Sequence, residues 1–173
     1  RGGGALDVVE QWVNVPAQHK RTPPADRAIR SAAVPAVELA GAAGTLRVIA
    51  GEHGGQRGPA HTFTPMNVWD LQLLAGNSAE LPAIDGWTTA LIVLRGAISV
   101  NGSAQAGPAQ MVLLERNGSG VQLQADSDAL VLLLSGEPID EPIYGHGPFV
   151  MNTQDEIIQA IDDFNSGNFG RIA

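Results

Sequence analysis

Residues 87–102, WTTALIVLRGAISVNG, constrain the fold more tightly than any other stretch. Positions 90–94 form a nearly continuous apolar run rich in branched side chains, long enough for a buried strand and short for a helix. Arg95-Gly96 breaks the run, 97–100 resumes it, and Asn101-Gly102 ends it with the strongest two-residue turn signal a sequence offers. The pattern predicts a hairpin through the middle of a β-structure.

The same rhythm extends from residue 36 onward. Further strands are expected at 45–50, 68–75, 109–114, 121–124 and 129–134, beside those at 88–94 and 97–100. Between them stand Gly54-Gly55, Gly76-Asn77, Asp85-Gly86, Asn117-Gly118 and the run Asp126-Ser127-Asp128. Many short strands with regular turn chemistry indicate an all-β sandwich or barrel. One helix is expected, at about 153–166. Thr153 and Glu156 make a capping box, Ile157, Ile161 and Phe164 share one face, and Gly167 is a suitable stop. Near the start, DVVEQWVNV at 7–15 reads as a strand, ended by Pro16, and the polar, proline-punctuated segment after it as a linker. The expected organisation is therefore a lead and strand over 1–16 belonging to an inter-domain region, a linker over 17–35, and one β-domain over 36–173 that carries the terminal helix. A strand set apart by a linker usually pairs elsewhere, so Trp12 is a candidate interface residue.

Composition narrows the function classes. The 173 residues are 44% hydrophobic and 16% charged, a globular balance, and no apolar run approaches the roughly 20 residues of a membrane span. The net charge is −8 and Lys20 is the single lysine, so the surface repels phosphate backbones and direct nucleic-acid binding is not expected. Cysteine is absent, which removes disulfides, thiolate chemistry and cysteine-ligated metals. No signal-peptide core opens the sequence, and cytoplasmic residence is expected.

Motifs with chemistry are sparse. His19, His53, His61 and His146 are the natural metal candidates, but no two lie closer than eight residues. Glu52, His53 and His61 converge only if the glycine-rich loop between them folds back, so no metal site is expected. Gly118-Ser119-Gly120 lacks the spacing of a nucleophile elbow, and Gly145-His146-Gly147 has neither a third glycine nor a helix start. No catalytic residue is assigned. Trp69 and Trp87 are core residues or cavity lining, and Trp69, Leu71 and Leu91 are the candidate lining of a pocket. Phe149 and Met151, just ahead of the capped helix, either staple onto it or enter a neighbouring domain; they join Trp12 as candidate interface.

Four segments, EQWVNVPAQHK, PAHTFTPMNVWDLQL, LIVLRGAISVNG and above all SGEPIDEPIYGHGPFVMNTQDEIIQAIDDF, resemble the second half of the pirin family. The resemblance runs from about Glu10 to about Gly170. It implies a cupin-type β-barrel, a double-stranded β-helix of jelly-roll type, with one C-terminal α-helix. In that family two cupins face each other, and iron sits on the first, on a His-Pro-His-Arg-Gly stretch with a glutamate and one more histidine. That stretch is absent here. With Arg95-Gly96 as anchor, the resemblance places the ligand positions near Pro82, Ile84, Thr88 and Leu123, which are not a transition-metal set. No cofactor is expected in this chain, with iron only on the absent first cupin.

The expected role is accordingly a metal-free C-terminal cupin whose work is packing and partner contact, with its own enzyme status open. Its partner would be a second copy, through strand exchange, or the missing first cupin. Two alternatives stand beside it: half of a quercetinase-like dioxygenase, and a small-molecule binding module using the barrel.

Overall fold

The computed structural model describes residues 9–23 and 27–169. Their contacts divide them into two compact units, one of residues 27–139 and one of 9–23 with 140–169.

The larger unit is built of strands β1 (Ala36–Glu38), β2 (Gly44–Ala50), β3 (Glu52–His53), β4 (Gln56–Arg57), β5 (Met66–Leu73), β6 (Ser78–Pro82), β7 (Thr88–Arg95), β8 (Ile98–Val100), β9 (Ala104–Ala106), β10 (Met111–Leu113), β11 (Gly120–Ala125) and β12 (Ala129–Gly136). A six-stranded antiparallel sheet runs β1-β2-β5-β12-β7-β10, and a four-stranded sheet runs β6-β11-β8-β9. Strand alternation explains the core. On β2, Leu46 and Val48 point inward while Thr45 and Arg47 do not; on β7, Thr89, Leu91 and Val93 do the same. These side chains meet Leu81, Ile98, Val100, Val121 and Leu123 of the smaller sheet in one continuous cluster. Each fully buried leucine there contributes about 1.5–3 kcal/mol relative to an exposed one.

Two sheets thus share one core, as the expected cupin-type fold requires, but they are not hydrogen-bonded into a closed barrel. Strands β9 and β10, each three residues long, flank a turn closed by Gln110 N–H to the Gly107 carbonyl, 3.1 Å, and remain edges.

The central stretch corrects the hairpin expectation in part. Arg95-Gly96 is not a hairpin turn; it carries the chain from β7 in one sheet to β8 in the other. Gly96 has φ +76°, and a Cβ there would strike the Asp128 carbonyl, so only glycine suits this crossing. The hairpin lies one step later, joining β8 to β9. Its turn is closed by Ser103 N–H to the Val100 carbonyl at 3.1 Å, with Asn101 and Gly102 both left-handed.

In the smaller unit, β13 (Tyr144–His146) and β14 (Phe149–Met151) form a hairpin, followed by helix α1 (Gln154–Asn165). The capping box is present: Glu156 N–H donates to Thr153 Oγ1 at 3.2 Å, and Glu156 Oε2 accepts from Thr153 N–H at 2.9 Å. Met151, Ile157 and Ala160 form a small core with Ile161 against it, while Phe164 is 61% exposed and is not on the buried face. Residues 9–16 are irregular, so the expected strand is not formed there; Asp7 and Val8 lie outside the described residues. Pro16 instead leads into a short 3-10 turn, Ala17–His19.

Candidate functional site

The inner face of the large sheet changes character at one end. Trp69, Leu133 and Leu91 are cross-strand neighbours on β5, β12 and β7, and all are buried. The next row is Asn67, Ser135 and Thr89. Thr89 Oγ1 and Ser135 Oγ lie 2.8 Å apart as a buried hydroxyl pair. At this end a cleft of about 270 Å3 is lined by Ile84, Trp87, Thr89, Val112, Leu114 and Arg116, among others. A second cleft, on which Trp87 also borders, holds Glu52, Arg57, His61 and Asn67. Asn67 Oδ1 there accepts the Glu52 N–H at 3.3 Å.

The expected pocket residues sit differently. Trp69 is 1% exposed and Leu71 and Leu91 are fully buried, so all three are core, and none borders either cleft. The indole Nε1 of Trp69 has no hydrogen-bond partner among the described residues, and its ring meets His53 edge-on with centroids 4.9 Å apart. Burial pushes the His53 imidazole below the usual histidine value. Trp87, the other tryptophan weighed as cavity lining, does line the clefts. Thr89 and Ser135 escaped sequence reasoning: a hydroxyl inside an apolar strand is the only signal, and it marks a buried pair no better than a strand end.

The candidate interface residues fall in the smaller unit. Trp12 is 72% exposed, Met151 is buried in the small core, and Phe149 is partly buried. Phe149, Phe164 and Phe169 make three edge-to-face contacts at 5.5–6.1 Å. Glu141 Oε2 accepts from Ala17 N–H at 2.7 Å and from Asn152 Nδ2 at 2.9 Å, holding the hairpin region to the first turn of chain.

Among the described residues, no group of three or more His, Cys, Asp or Glu side chains is placed to hold a metal ion. Glu52 and His61 share the second cleft, without His53. The four positions implied by resemblance do not converge: Pro82 ends β6 and is exposed, Ile84 is in the following loop, Thr88 points away from the core, and Leu123 is inside it. Proline, isoleucine and leucine have no donor atom for iron, so these side chains do not fit the group.

A family model for the pirin C-terminal cupin domain matches residues 68–170. The chain belongs to the pirin family. It is 47% identical over 169 residues to a Pseudomonas aeruginosa protein provisionally named a quercetin 2,3-dioxygenase, covering 98% of this chain and 59% of that one. Human pirin is 31% identical over 169 residues, with 94% and 57% covered. A crystal structure of quercetin 2,3-dioxygenase from Acinetobacter baumannii superposes with a TM-score of 0.89 at 44% identity, covering 94% of this chain and 56% of that one. The chain thus spans somewhat more than half the length of these pirin-family relatives. No helix among its described residues is long and apolar enough to cross a membrane.

Proposed function

We propose that this chain works as the metal-free, contact-making cupin of a pirin-like protein and carries out no oxygen chemistry by itself. What supports this reading is that the positions which the resemblance implies for iron ligands hold Pro82, Ile84, Thr88 and Leu123, side chains that neither suit iron nor come together. Oxygen activation needs that metal, and these residues supply neither a ligand nor a base.

The surface supports a contact role. Met111 and Leu113, on edge strand β10, are 64% and 63% exposed. Registered beside them on the same face are the half-buried Ile92 and Ala90 of β7 and Leu134 of β12, while Leu132 next to Ile92 is buried. An apolar edge backed by an apolar stripe favours another sheet as partner. Trp12 adds a large exposed apolar side chain in the smaller unit. The partner we assign is another cupin sheet, either the remaining segment of a longer pirin-like protein or a second copy. Its working place in this reading is the cytoplasm, which the cysteine-free composition fits.

Sedimentation velocity at micromolar concentration tests this. A dimer, or a monomer that forms a stable complex with a relative's first half, supports it; a monomer in both settings contradicts it. The names of the Pseudomonas and Acinetobacter relatives favour a second reading, in which the chain is one half of a dioxygenase whose iron lies on the other half. Quercetin-dependent oxygen uptake that appears only when both halves are combined distinguishes that reading.

A further inference from the structure

The hydroxyl pair at the open end of the sandwich has a proton to spare. Thr89 is 3% exposed and Ser135 is likewise buried, and their oxygens share one hydrogen bond of 2.8 Å. Two hydroxyls bring two protons, and that bond uses one. Among the described residues no side chain or carbonyl accepts the other. Thr89 is itself part of the lining of the 270 Å3 cleft, whose walls include Trp87, Val112 and Leu114. A buried donor without an acceptor is costly, and an oxygen entering the cleft relieves it.

We propose that this cleft is a binding site for a small, uncharged ring compound bearing a carbonyl oxygen. The size fits: 270 Å3 lies below the roughly 300–1,000 Å3 of drug-sized pockets, so one ring with a short substituent fills it. Trp87 and the aliphatic walls take the ring, and the Thr89–Ser135 pair donates to the carbonyl. A charged ligand is disfavoured because Glu115 and Arg116 bring one charge of each sign to the lining, whose other polar side chains, Thr89, Asn101, Ser103 and Asn117, are uncharged. The site is independent of whether the chain turns over a substrate, and of which partner it meets.

The test is a titration of the 173-residue chain with acetophenone, ethylbenzene and benzoate, followed by the indole N–H signals in nitrogen-15 NMR and assigned with Trp87→Phe. Acetophenone is expected to shift the Trp87 signal and to bind roughly 2- to 12-fold tighter than ethylbenzene, the worth of one net hydrogen bond. In the double variant Thr89→Val with Ser135→Ala that preference disappears. Ethylbenzene or benzoate binding as tightly as acetophenone overturns the proposal, as does absence of saturable binding or a shift confined to the Trp12 or Trp69 signals. Should the double variant not fold, the ranking of the three probes on the parent chain decides the matter.

Discussion

The two units of this chain are stabilised by different means. The sandwich holds twenty buried apolar residues in one cluster drawn from both sheets. Among its described residues the smaller unit holds three, Met151, Ile157 and Ala160, and relies on polar ties: the Thr153–Glu156 box, the Glu141 carboxylate, and an Arg21–Asp163 ion pair. Arg21 is largely exposed, so that ion pair adds little. The contrast teaches where stability and where adaptability lie. A core of twenty unfolds as a whole, whereas a three-residue core opens locally at low cost and suits a segment that adjusts to a partner.

Substitutions sharpen or break that contrast, and the largest effect belongs to the sandwich. Leu91→Ala removes a fully buried side chain between Leu133 and Val112 and is expected to cost about 2–5 kcal/mol in urea unfolding. A loss below about 1 kcal/mol would mean the core is looser than its burial implies. Gly96→Ala forces a Cβ into a left-handed position against the Asp128 carbonyl and should cost about 1–3 kcal/mol. Thr153→Ala deletes the helix cap, an effect of about 1 kcal/mol. Hydrogen exchange should show that loss in α1 alone; faster exchange in the sandwich strands would erase the distinction between the units.

The smallest effect is one of pH. Because burial lowers the His53 value, the unfolded chain protonates first as pH falls through about 6.5. Stability therefore declines from there down to the folded-state value, below which the difference stays constant. The urea midpoint of the parent chain should drop more between pH 7.5 and 5.5 than that of His53→Phe, which keeps a ring beside Trp69. Equal drops would remove His53 as the cause.

What the sequence made legible follows from what each element depends on. The strands at 45–50, 88–94 and 129–134 are apolar runs bounded by turns, and β2, β7 and β12 occupy them. Strand β6, SAELP, is not legible because it is five residues long, offers only Ala79 and Leu81 as inward apolar side chains, and ends on proline. The segment 7–15 has a strand's composition, but a strand forms only with a neighbour, and residues 9–15 pair with no strand among the described residues. Arg95-Gly96 marks a break in the apolar run, but local signals do not reveal whether a chain reverses within a sheet there or passes to another. The cleft was least legible of all. Trp87 suggested it, but the Thr89–Ser135 pair joins residues 46 apart, and only pairing of β7 with β12 creates it.

The central claim concerns iron. Anaerobic titration of the chain with ferrous iron, followed by admission of oxygen and quercetin, tests it most directly. We expect no saturable binding at one equivalent and no quercetin-dependent oxygen uptake. One tightly held iron per chain, with oxygen uptake that is lost in His61→Ala, would contradict the account.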